Sequence, residues 1–199
     1  MTDDEEITKR LVPPPHDFWV FAYGSLMWNP EFPHQEVRAA RLLGYHRAFC
    51  VYSHHYRGTR ERPGLVLGLD RGGSCLGRAY KVRAADGAKA AAILDEREMR
   101  GGVYDPRWVE VRFADHSRAQ AYAYVVDRRH PHYAGRLDLH ALTEVITHAG
   151  GERGSNIDYL VNTVRHLDEL GIVESALHEL LDTVLGRIAQ PTPEGGGCS

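Results

Sequence analysis

Apolar residues first gather at Phe18–Tyr23, an unbroken aromatic and aliphatic run that Gly24 and Ser25 close. A short apolar run ended by small residues predicts a buried strand. The next such stretch, 37–52, carries Leu42, Leu43 and the run Ala48–Tyr52, with Gly44 placed for a bulge. Leu65–Leu69 and Cys75–Val82 read as two strands joined by a hairpin turn at Asp70–Gly73. From Trp108 to Phe113 the pattern alternates: Val109, Val111 and Phe113 face one way, Trp108, Glu110 and Arg112 the other. In Ala121–Val126, Tyr122 and Tyr124 alternate with small residues. About six strands are expected in all.

Helical periodicity takes over between and after them. Residues 87–99 are rich in alanine. A helix over 138–149 begins at Asp138, a good N-cap. Over 156–170 the residues Ile157, Leu160, Val161, Val164 and Leu167 form one stripe, with Ser155 as N-cap and Gly171 as stop. A last helix is expected over 173–187. Strands first and helices last indicate an α+β fold: a mostly antiparallel sheet or barrel carrying helices on one side. The pattern fades at both ends. Residues 1–16 hold an acidic run and then Pro13–Pro15, and residues 189–199 are rich in glycine and proline. These read as flexible tails around a body of 17–188.

Composition narrows the function classes. The chain has 199 residues, room for one ordinary domain. Its 24 basic against 27 acidic residues leave a net charge of −3, which argues against a nucleic-acid-binding domain. No apolar run approaches the ~18 residues of a membrane span. The first residues are acidic where a secretion signal is basic, so the cytoplasm is the expected compartment. Cys50, Cys75 and Cys198 are odd in number and widely spaced, unlike a disulfide framework or a zinc knuckle. His54 and His55 are adjacent and point apart in an extended segment. His130 and His132 share a face but lack a third ligand, so no metal is expected. Phosphate-binding glycine loops, the zinc-protease helix and the serine elbow are absent from the sequence. The pattern carries no signal for an oligomeric state.

Three segments carry candidate chemistry. The turn Tyr23–Trp28 follows a buried strand, and its successive amides can converge on an anion or oxyanion; it is equally a plain strand-ending turn. In the helix 87–99, Ala91, Leu94 and Glu98 lie on nearly one face, while Glu96 points elsewhere. Glu98 thus ends a core-facing stripe in a last helical turn, where burial and the helix dipole both raise a carboxyl pKa and suit it to a general base. The competing reading pairs it with Arg97 or Arg100, or leaves it solvated. The loop 53–64 holds Arg57, Arg60 and Arg62, which either recognise substrate carboxylates or decorate a solvated surface.

Taken together, these residues resemble the ChaC family of glutathione-specific gamma-glutamylcyclotransferases. The resemblance rests on Val20–Trp28 with its Tyr23, Gly24, Ser25 and Leu26. It continues through Tyr56, Arg57 and Gly58 with Pro63 and Gly64, then Leu94–Glu98 followed by Gly102, Val103 and Tyr104. Asn156, Tyr159 and Leu160 complete it, so that it runs over about 18–187. It implies a gamma-glutamylcyclotransferase-like fold, a small mixed β-barrel or sheet with packed helices. It implies the conversion of glutathione into 5-oxoproline and cysteinylglycine, without cofactor, metal, nucleic acid or membrane. Glu98 takes the place of the family's catalytic glutamate. Ala22, Tyr23, Gly24, Ser25, Leu26 and Met27 line the substrate pocket, with Tyr159, Tyr104 and Arg57 as further binding residues. Two departures stand out: Ala22 occupies a position that is glycine in many relatives, and the spacing around Tyr104 is looser than the family's. Other gamma-glutamyl compounds as substrates, or a non-catalytic gamma-glutamyl-binding module, are the alternatives.

Overall fold

The computed structural model describes residues 11–98 and 101–189. The expected tails at 1–10 and 190–199, Met99, Arg100 and Cys198 lie outside the described residues. Residues 11–16, assigned from sequence to the N-terminal tail, have no regular structure, but Leu11 is buried.

Five strands form a closed barrel in the order β1-β3-β2-β4-β5. They are β1 (Phe18–Ala22), β2 (Glu36–Ser53), β3 (Gly64–Val82), β4 (Tyr104–Phe113) and β5 (Arg118–Val126). β1 runs antiparallel to β3 and parallel to β5, and this parallel pairing, Trp19 with Ala121 and Val20 with Tyr122, closes the barrel. β4 is antiparallel to both β2 and β5. Two two-residue strands, β6 (Gly150–Gly151) and β7 (Gly154–Ser155), make a separate small ladder. The helices among the described residues are α1 (Gly87–Glu98), α2 (Leu139–His148), α3 (Asn156–Glu169) and α4 (Ser175–Ala189). The fold is α+β, as the pattern indicates.

One expectation fails. Asp70–Gly73 makes no hairpin turn; these residues sit inside the continuous strand β3, so two expected strands are one. Gly72 and Gly73 do adopt positive φ, +105° and +68°. Left-handed glycines are as much the mark of a bulge as of a turn. In a small closed barrel such kinks let a long strand curl while its pairing continues.

The chain divides into two compact units. The first comprises the chain up to Tyr52 together with Val66–Arg136; the second comprises Ser53–Leu65 and the chain from Leu137 on. In the first, Phe21, Leu42, Leu69, Val109, Val111, Phe113, Ala123 and Val125 belong to one buried apolar cluster, drawn from all five strands. The alternation expected for β4 holds, with Val109, Val111 and Phe113 buried and Trp108, Glu110 and Arg112 exposed. β1 and β5 are buried on both faces. Their outer residues lie along α1: a Cβ on Gly87 would stand 3.4 Å from the Phe18 ring, and the Tyr124 hydroxyl donates to the Asp95 carboxylate at 3.2 Å.

In the second unit the caps form as the sequence predicts. Asp138 accepts from the Ala141 amide at 2.8 Å, Ser155 accepts from the Asp158 amide at 3.0 Å, and Gly171 takes φ +68° after α3. The buried stripe of α3 differs from the expected one. Asn156, Leu160, Thr163, Val164 and Leu167 are buried, while Val161 is exposed and Ile157 half-exposed. Asn156 is the reason. Its amide accepts from the Leu65 N–H at 2.6 Å and donates to the Leu65 carbonyl at 2.8 Å. A side chain that satisfies both backbone groups of a buried residue turns the helix toward itself, because leaving them unpaired costs more than exposing one valine.

Candidate active site

The turn after β1 is held by its carbonyls. Ser25–Met27 form a single 3₁₀ turn, in which the Met27 amide donates to the Gly24 carbonyl at 2.9 Å and the Asn29 amide to the Ser25 carbonyl at 2.9 Å. The Tyr23 carbonyl accepts from Arg47 Nε at 2.5 Å. The Met27 carbonyl accepts from the Tyr80 hydroxyl at 2.6 Å and from Arg78 at 3.3 Å. A trans peptide points its N–H opposite its C=O. Arg47 therefore aims the Gly24 amide away from itself, and the Gly24–Met27 bond likewise leaves the Ser25 amide pointing away from Met27. The first amides of a helical turn have no acceptor within it. Gly24 and Ser25 are also the accessible residues of the run; Ala22, Tyr23, Leu26 and Met27 are buried. The Gly24 φ is −129°, so its glycine character does not come from a left-handed backbone here.

Arg47 was not singled out from sequence, although a signal was there. It alternates on β2 with Phe49 and Val51, a cation on an otherwise apolar face, and it is 6% exposed. Beyond the Tyr23 carbonyl its guanidinium donates to the Leu76 carbonyl at 2.8 Å and lies 3.7 Å from the Met27 sulfur.

Glu98 is the last residue of α1 and completes the face made by Ala91 and Leu94, both buried. The side chain keeps some accessible surface, but protein crowds its carboxyl. Burial pushes its pKa up from 4.5 to about 7, against a smaller downward pull from the Arg97 charge. Among the described residues no hydrogen bond to the carboxyl contributes. Arg97 is not its ion-pair partner. The Arg97 guanidinium donates to the Asn29 carbonyl at 2.6 Å, the Glu31 carboxylate at 2.6 Å and Ser25 Oγ at 3.3 Å. The residue before Glu98 is thereby tied to the turn that carries Gly24 and Ser25. Glu96 is exposed. On β5, the Tyr124 hydroxyl is held far above its ordinary pKa by burial and by the nearby Asp95 and Glu98 carboxylates.

Tyr104 opens β4 and donates its hydroxyl to the Leu67 carbonyl at 2.9 Å. The Leu67 side chain in turn lies 3.9 Å from where a Cβ on Gly24 would stand. Arg57 and Tyr159 meet each other in the second unit, guanidinium over ring at 5.2 Å. Arg57 also donates to the carbonyls of Arg153 at 2.5 Å and Ser155 at 3.4 Å. Burial lowers its pKa somewhat. The loop it belongs to is tightly folded: the Glu152 and Arg153 amides donate to the carbonyls of His55 and Tyr56. A Cβ on Gly151 would come within 2.3 Å of the His55 carbonyl oxygen, so only glycine allows this approach. Arg60 and Arg62 are exposed. Among the described residues no three His, Cys, Asp or Glu side chains converge as metal ligands.

The ChaC-like protein family matches residues 18–187. The chain belongs to the ChaC-like family. It is 35% identical over 177 residues to the glutathione-specific gamma-glutamylcyclotransferase of Escherichia coli, which covers 89% of this chain and 77% of that protein. It is also 35% identical over 153 residues to human glutathione-specific gamma-glutamylcyclotransferase 1, covering 74% of this chain and 68% of the human protein. A solved yeast gamma-glutamylcyclotransferase specific to glutathione superposes with a TM-score of 0.77 over 86% of this chain and 96% of the yeast chain. At 21% identity that likeness shows a shared fold. The ChaC-like membership agrees with the order of motifs along the chain.

Proposed function

We propose that this ChaC-like protein is a gamma-glutamylcyclotransferase that converts glutathione into 5-oxoproline and cysteinylglycine, with Glu98 as general acid and base. The observation that carries the reading is the Glu98 carboxyl: crowded by protein, raised to about 7, and next in sequence to an arginine bonded to the turn after β1. The names of the bacterial and human relatives support the substrate.

The reaction is an internal aminolysis. The substrate's α-amine attacks its own γ-carbonyl, a C–N bond closes the five-membered ring, and the bond to the cysteinyl nitrogen breaks. Both reacting groups already belong to one molecule, so the site has only to fold the glutamyl chain. Well-oriented intramolecular attack reaches effective molarities of ~10⁵–10⁸ M, worth roughly 7–11 kcal/mol. The amine, largely an ammonium at neutral pH, gives its proton to Glu98; Glu98 returns a proton to the departing cysteinyl amine. A carboxyl with a pKa near neutrality can do both. The amides of Gly24, Ser25 and Leu26 would receive the oxyanion, since donors fixed beforehand need no reorganisation as charge develops. Ala22, Tyr23 and Met27 shape that turn. Tyr104, Arg57 and Tyr159 stay in the proposal as substrate contacts, to be judged by KM. No step calls for a cofactor.

The proposed compartment is the cytoplasm. Glutathione is a cytosolic reductant, and Cys50 and Cys75 are buried thiols that form no disulfide. Among the described residues no helix is long and apolar enough to cross a membrane. The test is incubation of the purified protein with reduced glutathione or gamma-glutamyl-alanine and direct detection of 5-oxoproline. Release from glutathione at a much higher kcat/KM supports the reading. Equal or better turnover of gamma-glutamyl-alanine overturns the substrate. Tight glutathione binding without product overturns the catalysis.

A further inference from the structure

The ion pair beside Glu98 has no role in the chemistry above, yet it is built with care. Arg97 places one guanidinium nitrogen on both the Asn29 carbonyl and the Glu31 carboxylate, each at 2.6 Å, and the other on Ser25 Oγ at 3.3 Å. Glu31 itself has φ +57°. A non-glycine residue in the left-handed region is uncommon and persists where its surroundings hold it. Here they do: the Glu31 carboxylate accepts from Asn29 Nδ2 at 3.1 Å as well as from Arg97. Three groups of the segment 25–31 thus converge on one side chain from the last turn of α1.

We propose that Arg97 is a positioning residue for the cyclotransferase reaction: it fastens the end of α1 to the turn bearing Gly24 and Ser25, and Glu31 holds its guanidinium away from the adjacent Glu98 carboxyl. The inference rests on the assignment of Glu98 as the base. Sequence neighbours on a helix face different ways, but a long arginine side chain released from other partners can swing toward an adjacent half-buried carboxylate and keep it ionised. An ionised, paired carboxylate would accept the amine's proton poorly and could not hand it on. By engaging Arg97, Glu31 keeps the guanidinium on the turn, so that among the described residues no hydrogen bond or ion pair joins Glu98 while the helix end stays fixed. Among the described residues, Tyr124 on β5 and Asp95 on the same helix, to which the Tyr124 hydroxyl donates, are further ionisable groups near Glu98.

Opposite shifts are therefore expected from the two partners. In Arg97→Gln a positive charge is lost beside Glu98, so the carboxyl holds its proton to higher pH. The acid limb of kcat/KM for 5-oxoproline formation moves up by about half a pH unit or more, and kcat falls ~10–100-fold as the helix end loosens. In Glu31→Gln the arginine is released toward Glu98, and the limb moves down by a similar amount. Arg97→Lys keeps the charge but not the fork; its limb stays near wild type while kcat falls. The substrate's own amine titrates identically in every variant. Glu98→Gln, measured alongside, separates the two levels of the argument. If it turns over normally, the base assignment fails. If it is inactive while Arg97→Gln and Glu31→Gln keep wild-type kcat and pH limbs, only the role of Arg97 is overturned. Limbs of Arg97→Gln and Glu31→Gln moving in the same direction overturn it as well. Should Arg97→Gln not fold, the shift in Glu31→Gln decides.

Discussion

Two sets of arginines in this protein do opposite things. In the first unit, the arginines near the turn after β1 bind carbonyls and a remote carboxylate, and among the described residues one acidic group, Glu98, has no bonded partner. In the second unit, Arg57 binds two carbonyls and lies over Tyr159, and the result is a closed loop, with Asn156 and Gly151 completing it. One arrangement concentrates chemistry, the other satisfies backbone. The difference lies in what each guanidinium leaves over. A planar five-donor group can saturate every acceptor around it; reactivity arises only where it is drawn off and a neighbour remains unmatched.

The largest effect expected from this contrast is catalytic. Glu98→Gln should lower 5-oxoproline formation by ~10²–10⁴ while glutathione binding, followed by calorimetry, persists. Glu96→Gln, on the exposed side of the same helix, should turn over within about twofold of wild type. Near wild-type turnover in Glu98→Gln would erase the distinction between the two sets.

Next comes stability in the second unit. Asn156→Ala strips both hydrogen bonds from the buried Leu65 peptide and should cost about 2–4 kcal/mol in denaturant unfolding. A loss below about 0.5 kcal/mol would mean that the Leu65 peptide finds other partners.

A smaller effect links Glu98 to pH. Its folded pKa, about 7, lies above the ordinary 4.5. Between those values the folded chain keeps a proton that the unfolded chain has released, so stability falls as pH rises across the window. Glu98→Gln should therefore be more stable than wild type at pH 8 by about 1–3 kcal/mol and no different below pH ~4.5. A constant difference across pH would show a carboxyl that titrates normally.

The smallest effect sharpens the second set, in the loop that carries Arg57. Arg60→Ala and Arg62→Ala, both at exposed positions, should leave stability within about 0.5 kcal/mol and KM within about twofold. A tenfold rise in KM for glutathione would extend the proposed substrate surface from Arg57 to the exposed end of this loop.

Much was determined by the sequence alone. The caps Asp138 and Ser155, the stop at Gly171, the alternation over Trp108–Phe113 and the placement of Glu98 on the Ala91–Leu94 face all follow from residues a few positions apart. Local backbone geometry suffices to read such features. The order of motifs along the chain likewise indicated the ChaC-like family. Tertiary structure alone decided the rest. Two strands became one at Gly72 and Gly73, where left-handed glycines let the strand continue around the barrel instead of turning back. Asn156 displaced Val161 from the buried stripe of α3, and Arg97 left its sequence neighbour for Glu31. The deciding partners are far apart in the chain: Arg47 and Tyr23 by 24 residues, Arg97 and Glu31 by 66, Asn156 and Leu65 by 91. A hydrogen bond acts over about 3 Å of space, and only the folded chain says which distant groups come that close.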